Sequence, residues 1–157
     1  MRAAMTMLAV TTIITGCTRT TGELPAVTES EATKVATAAE ATFTAGNVDA
    51  VMSQYDDKAV MIDPSAAEPS NDRKVTTGWA KTFVSMKPAD FEVSGRHIQL
   101  LGPDAFVSSG VESFTVAAGT ARPTVSARFT DVFKRDGGAW KIVHEHVSMP
   151  PALTVKP

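Results

Sequence analysis

Apolar residues recur at helical spacing in the first third of the chain and alternate with polar ones in its last half. Ala32, Val35, Ala36, Ala39 and Phe43 fall three or four apart, which predicts an amphipathic helix. Thr28-Glu29-Ser30-Glu31 stands before them as a capping box, a hydroxyl at the N-cap and a carboxylate three residues on. Gly46 ends this helix, and Asn47 caps a second one with Val48, Val51, Met52 and Tyr55 on one side. Asp56-Asp57-Lys58 breaks the pattern. Residues 59–63 (AVMID) then read as a short strand stopped by Pro64, and 64–74 as a polar loop. A third helix begins around Thr76-Thr77-Gly78, with Trp79, Phe83 and Met86 marking its buried side.

Beyond Pro88 four strands are expected, at 91–101, 105–117, 124–135 and 140–148. Gly102-Pro103-Asp104, Ala118-Gly119 and Asp136-Gly137-Gly138 supply the turns. Helices followed by a meander predict an α+β domain: a cone-shaped half-barrel, its curved antiparallel sheet packed on three N-terminal helices. Such a sheet leaves a conical cavity, the usual seat of a small ligand.

The chain's 157 residues are enough for one domain with a core. Net charge is -2 with both signs scattered, and no basic stripe marks a nucleic-acid partner. The stretch MRAAMTMLAVTTIITGC has an early Arg, an apolar run and small residues before a Cys, the layout of an export signal. Its end, Ile14-Thr15-Gly16-Cys17, resembles a bacterial lipobox, which implies cleavage after Gly16 and a diacylglycerol on Cys17. An ordinary cleaved signal and a buried helix are the other readings. The expected layout is a signal at 1–16, a lipidated Cys17 with a tether to residue 28, the domain at 29–150 and a tail at 151–157. The protein would then sit in the cell envelope, anchored to the membrane through Cys17. With one Cys, no disulfide forms within the chain.

AGNVDAVMSQYDDKAVMIDP resembles the helix-loop-strand of SnoaL-like domains, in the nuclear transport factor 2-like superfamily. RFTDVFKRDGGAWKIVHEHVS resembles their closing hairpin, with its Arg-x-Thr-x-Val, Gly turn, Trp-Lys-Ile and His-x-His-x-Ser. The resemblance spans 29–149 and implies a fold used by isomerases, dehydratases, cyclases, ligand binders and partner-binding modules alike. In its ketosteroid isomerase-like members a carboxylate abstracts the proton. This chain offers no tyrosine on the predicted strands for the usual oxyanion hole, because Tyr55, its only one, is read as helical.

Strand alternation sets Trp140, Ile142, His144, His146 and Ser148 on one face. A two-residue Asp136-Gly137 turn would place Phe129 opposite His144. A three-residue loop, the favoured register, would place Thr130 opposite His144 and Arg128 opposite His146, pointing inward. His144 and His146 then read as hydrogen-bonded interior residues, as pocket residues that orient a ligand or move a proton, or as metal ligands needing a third partner such as His97 or Asp131. Asp63 reads either as a turn residue or as a general base at the cavity mouth. Tyr55, Trp79, Arg128, Trp140 and His144 are the expected ligand-binding residues, and Asp63 and His146 the candidate catalytic pair. Glu112 and Glu145 read as solvated. No phosphate loop, Ser-His-Asp spacing or zinc motif is present, so neither cofactor nor metal is expected.

Three functions remain in play. The first is binding of a small, partly hydrophobic molecule without turnover. The second is an isomerase- or dehydratase-like proton transfer beside a carbonyl, with Arg128 holding the oxyanion. The third is an interaction module whose outer sheet face binds another envelope protein or a second copy of itself as a homodimer.

Overall fold

The computed structural model describes residues 25–150. The expected signal, Cys17 and the 151–157 tail lie outside them. Helix α1 spans Glu29–Ala41, α2 Val48–Met52 and α3 Arg73–Ser85. The strands are β1 Tyr55–Ile62, β2 Ala89–Leu100, β3 Ala105–Thr115, β4 Thr124–Asp136 and β5 Ala139–Ser148.

The Thr28 hydroxyl caps α1 by accepting from the Glu31 amide at 3.2 Å. Asn47 caps α2 through the amides of Asp49 and Ala50. Asp72 caps α3 through the Lys74 amide, so that helix starts earlier than the Thr76 expected. The second helix is shorter than its apolar spacing suggests: it ends at Met52, and Tyr55 opens β1 instead of closing a helix. Among the described residues no helix is long and apolar enough to cross a membrane.

The strands form one curved, unclosed sheet in the order β1-β5-β4-β3-β2. It is antiparallel except for β1, which runs parallel to β5 with Met61 beside Glu145. The helices pack against its concave face, giving the α+β cone. At the narrow end Phe106 stacks on Phe133 at 4.7 Å, and Trp140 meets Phe106 edge-on at 5.1 Å. At the wide end Phe43, Phe83, Phe91 and Phe114 form a continuous aromatic cluster. Gly110 lets three strands close up here. A Cβ on it would lie 3.0 Å from the Ser94 carbonyl oxygen and 3.2 Å from the Phe129 ring.

The last hairpin corrects both registers read from the sequence. Its loop is Gly137-Gly138, both with positive φ (55° and 90°), and Asp136 pairs with Ala139. Phe133 then pairs with Ile142 but Val132 pairs with His144, leaving Val143 as a bulge. Thr130 therefore faces His146, Arg128 faces Ser148 and Phe129 faces Val147. The bulge also breaks the alternation. Trp140 and Ile142 point into the cone, and beyond Val143 it is Glu145 and Val147 that do so.

Candidate functional site

Four neighbouring strands each send one ionisable side chain into the cone: Tyr55 from β1, Glu145 from β5, Asp131 from β4 and Glu112 from β3. Asp131 and Glu145 are direct cross-strand partners and are only 6% and 4% exposed. Tyr55, 2% exposed, donates its hydroxyl to Glu145 Oε2 at 2.5 Å. Glu112, Asp131 and Glu145 line an inner pocket walled by Phe43, Trp79, Phe83, Phe91, Phe129 and Val147. Trp79, Phe83, Glu112 and Val147 are shared with an outer cleft of about 310 Å³. Asp63, Pro64, Ser65, Met86 and Met149 belong to that cleft, together with Thr82, Phe114, Val125 and Ala127.

Burial dominates the electrostatics. It pushes the Glu112 carboxyl up to about 8, with further upward pressure from Glu145 and Glu40. Burial raises Glu145 to about 7, against the Tyr55 hydrogen bond, which lowers it; Asp63 adds to the rise. Asp131 is raised well above the usual carboxylate range by burial and by Glu145, Glu112 and Glu40, with Arg96 pulling the other way. Tyr55 is raised too, by burial and then by Glu145, so it stays a hydrogen-bond donor. Asp131 Oδ1 is buried with no hydrogen-bond partner. The Arg96 guanidinium does not bond it: it is held bidentately by Glu40 at 2.7 Å and also donates to Ser108 Oγ at 2.9 Å. Carboxyl groups that hold protons near neutral pH can donate hydrogen bonds, give up a proton or accept one back. Among the described residues no three His, Cys, Asp or Glu side chains are arranged to hold a metal ion.

The expected site residues scatter. Tyr55 and Trp79 are in the cone, Trp79 lying 6.0 Å from the Tyr55 ring and lining both pocket and cleft. Asp63 is on the cleft rim, where it also accepts from the Ser65 amide at 2.8 Å and from the Ser65 hydroxyl, so turn residue and mouth carboxylate coincide. His144 and His146 are corrected: they face the convex side, paired with Val60 and Ile62 of β1, because the Val143 bulge shifts the alternation. They share that face with Arg128, which is exposed and donates to the Met149 carbonyl at 3.2 Å rather than reaching the pocket. Trp140 points inward but at the narrow end. It is wedged between Phe106 and the Arg135 guanidinium, with its Nε1 donating to Glu31, and away from the cleft.

Glu112 and Glu145 are likewise corrected from solvated to interior positions. For Glu112 the signal was available, since it alternates in phase with Phe106 and Phe114. Asp131 is in phase with Phe129 and Phe133. Glu145 was hidden by the bulge.

A family model for the SnoaL-like domain matches residues 33–152. The chain belongs to the SnoaL-like domain family. Among curated proteins none matches significantly. A structure from Xanthomonas campestris, provisionally named a calcium/calmodulin-dependent protein kinase II association domain, superposes with a TM-score of 0.73 at 26% identity, over 83% of this chain and 94% of that one. A nuclear transport factor 2-like protein of unknown function from Pseudomonas putida KT2440 gives 0.67 at 19% identity, over 80% and 89%. A protein from Streptomyces avermitilis, provisionally named a dehydratase of the same family, gives 0.65 at 16%, over 78% and 96%. These last two likenesses establish the nuclear transport factor 2-like fold alone. A SnoaL-like domain of this kind is a ligand-binding or enzyme-like scaffold.

Proposed function

We propose that this SnoaL-like domain binds a small, partly apolar molecule in its cone. The body of the guest lies against Trp79, Phe83 and Phe114, and its polar end meets the carboxyls at the floor. One observation carries the reading: a mostly apolar cleft of about 310 Å³ converges on buried ionisable groups. Ala127→Trp, which fills the cleft, tests it. Native mass spectrometry should find a small organic molecule retained by the unaltered protein and lost from the variant. Retention by both sinks the reading.

A second reading, proton transfer beside a carbonyl, gains from the position of Tyr55. This tyrosine is on a strand, faces the cone and holds Glu145, which removes the objection that no strand tyrosine is present. Glu112, common to pocket and cleft, is the proton-transferring group in this reading. Once ionised, a form that gains population as pH rises toward about 8, it takes a proton from the carbon beside a substrate carbonyl and returns it, with Asp63 on the rim as the other candidate base. Glu112→Gln should abolish enolisation of any bound ketone while leaving its binding intact. Full activity in that variant removes the reading.

Lipid anchoring at Cys17 in the cell envelope, and self-association through the convex face, complete the proposal. Release of Cys17→Ser into the soluble fraction tests the first. Sedimentation equilibrium of the protein tests the second, for which the association-domain neighbour is the support.

A further inference from the structure

We infer that the guest is a cation: an ammonium-bearing molecule whose apolar body rests on the aromatic walls and whose charged nitrogen sits among Glu112, Asp131 and Glu145. This deepens the binding reading above and rests on it.

Three observations converge. The walls are aromatic: Trp79 and Phe83 stack at 5.5 Å and Phe91 and Phe114 at 5.8 Å, while Phe43 meets Phe91 tilted, at 5.4 Å. Ring faces carry negative potential and attract ammonium groups. Next, among the described residues no Lys, Arg or His lines the inner pocket or the outer cleft. Arg96, which acts on Asp131, has its guanidinium committed to Glu40 and Ser108. The acidic floor therefore has no cationic side chain among its described lining residues, and Arg96 acts on Asp131 only from beyond the lining. Last, Asp131 Oδ1 is buried, unpartnered and belongs to a pocket-lining residue, so an acceptor waits for a donor. An N–H donor that is also positive satisfies both needs. An anionic guest would meet three acids and, among the described lining residues, no cation.

Titration supports the geometry. Glu112 holds its proton up to about pH 8 and Glu145 up to about pH 7, because burial and their acidic neighbours oppose ionisation. The charged and titratable groups around them are Asp131 on β4, Tyr55 on β1, Asp63 at the end of β1, Glu40 on α1 and Arg96 on β2. A bound cation favours the carboxylates, so binding near neutral pH must expel protons.

The test is isothermal titration calorimetry of the full chain with 2-phenylethylammonium and with 2-phenylethanol, which has the same body and no charge. The ammonium ion should bind about tenfold or more tightly. It should release a proton, read as a heat that depends on the buffer, and its affinity should rise from about pH 6 to about pH 8. Glu112→Gln should erase most of the ammonium ion's preference over the alcohol. Equal binding of the two compounds to the unaltered protein, without proton release, overturns the cation assignment and leaves the pocket reading standing. Binding of neither overturns both. The comparison on the unaltered protein decides the matter even if the variant fails to fold.

Discussion

Tyr55 and Glu145, 90 positions apart in the chain, meet in a 2.5 Å hydrogen bond inside the cone. The contact exists because β1 returns to pair in parallel with β5, setting the first strand beside the last. Tyr55→Phe keeps the ring against Trp79 and removes only the donor. It should cost about 1–3 kcal/mol, as expected for a buried acceptor left unsatisfied. Because the bond lowers the Glu145 carboxyl, its loss should move that group above about 7. Urea denaturation and carboxyl NMR titration read the two effects, and an unchanged Glu145 titration would refute the role given to Tyr55.

The buried acids make stability fall with pH. Glu112 and Glu145 have an ordinary value of 4.5 when unfolded, and are raised to about 8 and about 7 in the fold. Between those limits the folded chain holds protons that the unfolded chain releases. Their contribution is complete below about pH 4.5 and is lost as pH rises through about 7 and then 8. Each group should give a slope of up to about 1.4 kcal/mol per pH unit. Glu112→Gln and Glu145→Gln should each flatten the profile and raise stability at pH 8. A stability that climbs from pH 5 to 8 in the unaltered protein would refute the assignment.

The helical and strand periods in the sequence point to the class of fold and most of the elements, because a 3.6-residue and a two-residue repeat are visible without knowing neighbours. Tyr55 shows where that stops. It sits at helical spacing after Val48, Val51 and Met52, yet pairing with β5 draws it into a strand. The site was less legible because orientation on a strand is a matter of parity. One bulged residue, Val143, turns Glu145 inward and His144 and His146 outward, and no local pattern announces it. Glu112 and Asp131, whose own strands carry no extra residue between them and the neighbouring phenylalanines, could be read from their phase with those residues.

Arg96 and Glu40 form a half-buried pair that ties β2 to α1 beside the acidic floor. Arg96→Met leaves Glu40 without its partner at a position shielded from water. The loss should be about 3 kcal/mol or more. Since Arg96 also pulls the Asp131 carboxyl down, its removal should raise that carboxyl further. Adding Glu40→Met should recover much of the stability, because an apolar pair fills the same space without an orphan charge. A double variant as unstable as the single one would show that the ion pair is not the cause.

His144 and His146 supply the sharpest separation between the two faces of the sheet. They lie on the convex side, in cross-strand rows with Val60 and Val132 and with Ile62 and Thr130. The double variant His144→Ser, His146→Ser touches nothing in the cone. Ligand affinity should therefore stay within about twofold, the range of a surface change of about 0.5 kcal/mol. Self-association, if it uses this face, should weaken, because the rows that would meet a second copy have changed shape and hydrogen bonding. Calorimetry and sedimentation equilibrium on one preparation measure both. Loss of ligand binding with unchanged association would reverse the assignment of the faces and bring the histidines back to the pocket.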